Sequence, residues 1–340
     1  VFDWENLYLA YVAASKNKRF QPDVLKFKSN LEENLIDIQN RLIWKMWTPG
    51  RWREFQVYDP KWRLIQAPQF NDRVIHHALG RVIEPLFERK FIFDSYACRT
   101  GKGVHSAVLR LQTFMRKAER EYAHPYVLKA DITKYFASID HKVLFFILCR
   151  TIRDKNVLWL CDQIIRHSGF NNVGIPVGAL TSQLFANIYL DVFDHYIKDA
   201  LGIKYYVRYM DDFIILGDGK AQLHDKLGLA EEFLNHKLRL QLNPKTTIFP
   251  ASHGVDFAGY RTWTTHILPR KRNVMRSKLK FRKLARLYAK RHVTLVDIRA
   301  SVMSFLGYMK HCNGYNTTSH ILNNFVLKKK SKKNCKALLV

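Results

Sequence analysis

The chain has 340 residues, enough to bury a large core and to hold two or three subdomains. It carries 56 basic against 29 acidic side chains, a net charge of +27, while 47% of its residues are hydrophobic and 13% aromatic. That apolar content excludes a disordered chain, and so much positive charge repels itself unless a polyanion neutralises it; a folded nucleic-acid binder is expected. Five scattered cysteines without C-x-x-C spacing fit a reducing compartment and no zinc. The longest apolar run, residues 143–149, is too short for a bilayer, and no signal-peptide pattern opens the chain. The expectation is a cytoplasmic protein without membrane contact.

In chain order, Asp3 can cap a helix whose apolar side is Trp4, Leu7, Tyr8 and Tyr11. Ser29 with Glu32 forms a capping-box pattern before Leu31, Leu35, Ile38 and Leu42, and Pro49-Gly50 ends that helix. Residues 53–60 and 63–67 read as two strands around a turn at Asp59-Pro60-Lys61-Trp62. Lys61 and Arg63 alternate with apolar residues there. They could hold a triphosphate, the arginine bidentately, but taken alone they read first as charges guarding an edge strand.

Asp72 is expected to cap the next helix, which carries Val74, Ala78, Val82 and Leu86. His76 and His77, being adjacent, cannot both reach one metal from a helix. The stretch Arg99-Thr100-Gly101-Lys102-Gly103 precedes a helix over 106–121. Its glycines permit close approach to phosphate, although it is no Walker A loop, so Arg99 and Lys102 are weakly specified backbone contacts.

Residues 126–130 form a buried-strand run that ends at Asp131, followed by Ile132, Tyr135, Phe136 and Asp140. Asp131 suits one half of a split metal site or the cap of the next helix; for Asp140 the cap is preferred. A glycine-punctuated loop, 174–183, enters a long helix over 180–201, with Leu184, Ile188 and Val192 as core and Gln183 free at its first turn. The chain is organised around residues 205–216, where two runs rich in β-branched and aromatic residues flank Asp211 and Asp212. Adjacent carboxylates repel, so a hairpin tip keeps them mainly when a cation joins them; a solvated turn is the alternative.

A helix over 222–238, the stretch Leu240 to Lys245 and a hairpin-like segment over 254–260 follow. From Pro269 onward Asp297 is the only acid. Arg276, Lys280, Lys283 and Lys290 mix with Leu279, Leu284 and Leu287 at helical spacing, and Thr294 with Asp297 caps a second helix through Ile298, Val302, Phe305 and Tyr308. Basic faces unrelieved by acids favour binding to a duplex backbone. Lysines recur at 328–330, 332 and 333, and about the last ten residues are expected to form a flexible basic tail.

In this order the motifs resemble a reverse transcriptase along nearly the whole chain. The Lys61/Arg63 hairpin resembles the fingers nucleotide-binding motif, and Asp131 with Phe136 resembles palm motif A. Gly178 with Ser182-Gln183 resembles motif B, Tyr209-Met210-Asp211-Asp212 motif C, Asn243-Pro244-Lys245 motif D, and Phe257-Ala258-Gly259-Tyr260 the primer grip. The resemblance implies an α+β, right-hand polymerase fold: N-terminal helices and fingers over 1–125, palm over 126–265, and a basic helical thumb and tail over 266–340. Ile175-Pro176-Val177-Gly178 and Ser182-Gln183 replace the Pro-Gln-Gly and Ser-Pro usual in group II intron enzymes. They resemble diversity-generating retroelements, as do Tyr96-Ala97-Cys98-Arg99 and Gly101-Lys102-Gly103. With no sequence left for RNase H, HNH or maturase domains, the resemblance implies a stand-alone enzyme. It would copy a template-repeat RNA into cDNA mutated opposite adenine, for mutagenic retrohoming, aided by a small oligomeric accessory variability protein.

Carried over residue by residue, Asp131, Asp211 and Asp212 are the catalytic acids. With the Ile132 backbone they would bind two Mg2+ ions, for which Mn2+ could substitute. Lys61, Arg63, Phe136, Gln183 and Lys245 would bind the incoming dNTP, Phe136 as steric gate, or Tyr135 if the register slips by one. Arg63, Ile175 and Gln183 are fidelity candidates. Arg99, Lys102, Tyr209, Gly259, Tyr260, Arg276, Lys280 and Lys283 would contact template RNA and primer or cDNA. Two alternatives stand beside this: a group II intron-like or defence-associated reverse transcriptase, and an RNA-binding scaffold. A scaffold has no use for a repulsive carboxylate cluster.

Overall fold

Because side chains alternate along a strand, the runs around Asp131 and Asp211 can bury both faces of one sheet only if helices cover each side. The computed structural model, which describes residues 1–58 and 62–328, has this arrangement. Helices α1 (Trp4–Ser15), α2 (Pro22–Ser29) and α3 (Leu31–Ile43) lead to a hairpin of β1 (Arg53–Tyr58) and β2 (Trp62–Ala67). Two long helices, α4 (Phe70–Glu88) and α5 (Val104–Glu121), precede β3 (Pro125–Asp131). Four helices follow: α6 (Tyr135–Ser138), α7 (His141–Cys149), α8 (Lys155–Arg166) and α9 (Leu180–His195). Then come β4 (Tyr206–Tyr209), β5 (Asp212–Asp218), α10 (Lys220–Leu238) and β6 (Thr247–Pro250). The chain goes on through β7 (Val255–Phe257), β8 (Tyr260–Thr262) and β9 (Ile267–Pro269) to α11 (Lys271–Ala289), α12 (Leu295–Met309) and α13 (Tyr315–Asn323).

The central sheet runs in the order β4-β5-β3-β6, with antiparallel pairing throughout. Leu128, Ala130, Tyr206, Phe213 and Ile215 enter the core shared with α7, α9 and α10. Val127, Val207, Ile214 and Leu216 face the other way, onto Ala107, Leu111, Met115 and Ala118 of α5. A slip of one residue would exchange the two faces, so the register is strongly specified. That register sets Asp131 directly opposite Asp212 at one end of the sheet.

Several local expectations give way to tertiary partners. Ser29 is the last residue of α2 and its hydroxyl bonds back to the Lys26 carbonyl, so the N-cap position of α3 falls to Asn30 and the Ser29–Glu32 box does not form. α4 begins at Phe70, ahead of Asp72, whose buried carboxylate accepts instead from Trp47 Nε1 (3.1 Å) and the Gly50 amide (2.8 Å). The helix from Leu180 is α-helical only to His195 and continues as a π turn over Tyr196–Ala200. The Asp3 cap, the Asp140 cap and the Thr294–Asp297 capping box are all present.

In the basic helices Leu279 is exposed, and Phe281 takes the inward position with Phe305, Met309 and Ile321. Burying such a ring contributes about 1.5–3 kcal/mol. β9 lies beyond residue 265 yet pairs with β8, so this small sheet crosses the expected boundary and the helices begin at α11. Tyr308 joins the helices to the sheet: its hydroxyl donates to the Gly259 carbonyl (2.7 Å), and its ring stacks on Tyr260 at 4.7 Å. Among the described residues no helix is long and apolar enough to cross a membrane. The lysine-rich tail beyond residue 328 lies outside the described residues.

Candidate active site

The carboxylates meet because two strand ends meet. β3 ends on Asp131, β5 begins on Asp212, and Tyr209 pairs with Asp212 across a two-residue turn made of Met210 and Asp211. The Ile132 amide donates to the Asp211 carbonyl (3.3 Å), tying the two chain segments together just beyond the sheet. Asn243 holds Asp131 twice: its amide donates to the Asp131 carbonyl (2.7 Å) and its Nδ2 to the carboxylate (3.1 Å).

The Asp131 and Asp211 carboxyls lie within hydrogen-bonding reach of each other. Burial first, and then the Asp131 charge, pushes Asp211 up to about 6, while Arg63 pulls the other way. Asp212 is pushed up to about 7, again by burial first, against the nearby Lys129, whose Nζ is 4.0 Å from its carboxylate. One oxygen of Asp212, Oδ1, is buried without a hydrogen-bond partner.

These features fit a divalent cation. Two mutually repelling, partly desolvated carboxylates and an orphaned acid oxygen are what a cation would neutralise. Among the described residues no three acidic, histidine or cysteine side chains close a complete metal cage. Mg2+ does not require one, since it is commonly held by one or two carboxylates and completed by substrate phosphates and water. Asp131 and Asp211 would hold it, with the Ile132 carbonyl, which the pairing of Ile132 with Leu242 turns away from that neighbour.

The raised carboxyls have a consequence for stability. Each contributes fully below its ordinary value of about 4, and that contribution is lost as pH rises through 6 and 7. The metal-free protein therefore loses stability from Asp211 and Asp212 between about pH 4 and pH 7. Added Mg2+ should raise the melting temperature more at pH 8 than at pH 5.5; equal shifts at both pH values in thermal melts would refute this.

Beside the acids lies an open cleft of about 590 Å³, lined by Lys129, Asp131, Asp212, Asn243, Lys245 and Arg270 among others. Lys245 is exposed there, as a phosphate-neutralising role requires. Arg63 sits in β2 and its charge reaches Asp211, whereas Lys61 lies outside the described residues. The hairpin is set by the loop before α9. The Gln66 amide donates to the Val177 carbonyl (2.9 Å), and a Cβ on Gly178 (φ +133°) would sit 2.9 Å from Ile65 and 3.0 Å from the Gln66 carbonyl oxygen.

Phe136 is half-buried, and its carbonyl accepts from the Ile175 amide (2.8 Å). Ile175 is itself a buried core residue, so it bears on the pocket through the Phe136 backbone. Tyr135 does not serve as the gate, because it is buried with its hydroxyl on the Ala186 carbonyl. Gln183 is exposed at the start of α9, over a narrow recess with Glu84, Glu88 and Cys98.

Four expected nucleic-acid contacts are occupied inside the fold. Arg99 forms a fork with Glu88 (2.7 Å) and donates to the Ile92 and Ser95 carbonyls, with only 5% of its side chain exposed. Lys102 bonds the Phe93 carbonyl and lies over the Phe93 and Tyr96 rings; burial above all lowers it to about 8. Tyr260 is fully buried, its hydroxyl donating to the Tyr308 carbonyl (2.8 Å). Gly259 (φ +90°) spends its carbonyl on Tyr308 and Asn273. Tyr209 is half-buried against the α5 side of the sheet, while Arg276, Lys280 and Lys283 are exposed along α11.

Sequence reasoning placed Asn243 in motif D without giving it the role of holding Asp131, and it passed over the fully buried Arg208, which forms a fork with the fully buried Asp194. A charged residue inside an apolar strand run was the available signal, since a buried charge requires a partner.

A sheet with paired carboxylates at its end, flanked by helices and followed by a basic helical region, defines a right-hand polymerase fold. Telomerase from Candida tropicalis in complex with a telomeric RNA fragment is similar, with a TM-score of 0.51 over 84% of this chain and 58% of that one, at 13% identity. Residues 58–262 match the model of the family described as reverse transcriptase (RNA-dependent DNA polymerase). The chain belongs to the reverse transcriptase family.

Among curated relatives, Protein YkfC of Escherichia coli K12 is 26% identical over 250 residues, covering 61% of this chain and 65% of that one. The group II intron-encoded protein LtrA of Lactococcus lactis is 23% identical over 274 residues, covering 59% and 44%. The chain thus spans less than two thirds of either relative's length.

Proposed function

We propose that the chain is an RNA-directed DNA polymerase that extends a primer on template RNA with dNTPs, through the Asp131–Asp211 pair. The observation that carries this is the facing carboxyls of Asp131 and Asp211, the second raised by burial, beside a cleft lined with cations. Two Mg2+ ions, or Mn2+ in their place, would supply Lewis-acid stabilisation of the attacking and leaving oxygens. Asp131 and Asp211 hold that charge, and Asp212 completes the acidic end of the sheet. Arg63, with Lys61, grips the β- and γ-phosphates, and Lys245 neutralises or protonates the departing pyrophosphate. Phe136 lies under the sugar and excludes a 2′-hydroxyl. Gln183 tracks the template or the nascent pair. The exposed cations of α11 contact the duplex backbone.

For the subgroup, the motif B stretch from Ile175 to Gln183 supports a diversity-generating retroelement enzyme, one making adenine-mutagenised cDNA from a template-repeat RNA with an accessory protein. Fidelity is a difference between two transition states, and looseness around Arg63, Ile175 and Gln183 would shrink it. The resemblance to LtrA favours a second reading, a group II intron-like enzyme.

Primer extension on RNA with Mg2+ and dNTPs tests both, with products sequenced in the presence and absence of accessory protein and cognate RNA. Errors concentrated at template adenines support the first subgroup. Faithful cDNA supports the second, and absence of metal-dependent synthesis overturns the polymerase itself.

A further inference from the structure

The turn that presents Asp211 is strained, and one buried side chain holds it. Met210 has φ +58°, a left-handed conformation that side chains other than glycine, asparagine and aspartate rarely adopt. Its carbonyl accepts from Arg208 Nη1 at 2.9 Å. The same guanidinium is fixed from every other direction. Nε and Nη2 donate to the two oxygens of Asp194 (2.7 and 2.5 Å), Nη2 also to Ser95 Oγ (3.1 Å), and Nη1 also to Asn187 Oδ1 (3.4 Å). Tyr206 donates its hydroxyl to Asp194 Oδ1 (2.5 Å), and Asn187 Nδ2 is anchored on the Ala97 carbonyl (2.8 Å). The Arg208 backbone is pinned as well, its amide on the Asp94 carbonyl (2.9 Å) and its carbonyl on the Tyr96 amide (3.0 Å).

We infer that Arg208 is a positioning residue for nucleotidyl transfer. It orients the Met210–Asp211 peptide, and through it the Asp211 carboxylate against Asp131, by bonding the Met210 carbonyl from a cage built by Asp194, Asn187 and Ser95. A structural ion pair alone would need only Asp194. The fifth donor aimed at the turn carbonyl is what links the cage to the site. A lysine keeps the positive charge but lacks the planar fork and cannot reach Asp194 and the carbonyl in the same geometry.

The inference rests on the polymerase reading, so the wild-type chain is assayed first, by primer extension with Mg2+ titration. If it makes no DNA, that reading fails. If it does, Arg208→Lys should lower kcat about 10- to 100-fold and raise the Mg2+ concentration for half-activation by a similar factor, with the dNTP KM little changed. Adding Met210→Gly, which removes the penalty on the left-handed turn, should restore a substantial part of that loss. Circular dichroism and thermal melts give the folded fraction of each variant. The inference is overturned if Arg208→Lys leaves kcat and the Mg2+ midpoint unchanged. It is equally overturned if the loss only tracks the folded fraction and Met210→Gly restores nothing.

Discussion

Replacing Asp211 with asparagine should abolish primer extension while leaving the fold intact or more stable. Asp211 lies within hydrogen-bonding reach of Asp131 and is raised to about 6 by burial and by that neighbour's charge. In the metal-free protein the pair is a stored repulsion, and Asp211→Asn removes it. The same substitution removes half of the charge that attracts a cation, so kcat should fall by about 10³-fold or more, equivalent to about 4 kcal/mol. Asp131→Asn should do the same, and Asp212→Asn less, because Asp212 has Lys129 beside it. A melting temperature that falls sharply in step with activity would point instead to a structural role. Retained activity would remove Asp211 from the mechanism.

The second large effect is expected at Gly178. A side chain there meets two obstacles, the left-handed φ of +133° and the contacts with Ile65 and the Gln66 carbonyl oxygen. The backbone strain costs about 1–3 kcal/mol. The contacts matter more for function, because β2 is held to this loop through Gln66 and Val177, and β2 carries Arg63. Gly178→Val should push the hairpin away from the carboxylates and raise the dNTP KM about 10- to 100-fold, the loss of roughly 1.4–2.7 kcal/mol of phosphate binding. Steady-state kinetics at saturating primer–template would show it. A Gly178→Val enzyme with unchanged KM would mean that the hairpin does not bind nucleotide.

How the polar residues are used was only partly legible beforehand. The acids of motifs A and C were readable because strand runs end on them, and a repulsive pair at a hairpin tip calls for a cation. Arg63 and Lys245 kept positions compatible with phosphate, on the hairpin and at the cleft. Arg99, Lys102 and Tyr260 were expected, on weaker grounds, to contact nucleic acid. In the folded chain they are spent on Glu88, the Phe93 carbonyl and the Tyr308 carbonyl. Tyr308 lies 48 residues from Tyr260, too far for any local pattern to reveal the pairing.

By itself the sequence determined what depends on local periodicity and chemistry. The alternation in β3, β4 and β5 set the register that brings Asp131 opposite Asp212, and Asp3, Asp140 and Thr294–Asp297 marked helix starts correctly. Only the tertiary structure decided which polar groups face the cleft and which are consumed as supports. Asp72 left its capping role for Trp47 and Gly50, Phe281 displaced Leu279 from the basic helices' core, and Arg208 became the strut behind the Asp211 turn. The reason is physical. Hydrophobic periodicity is written along a single element, whereas a buried polar group must be satisfied by whatever donor or acceptor packing brings to it from elsewhere in the chain.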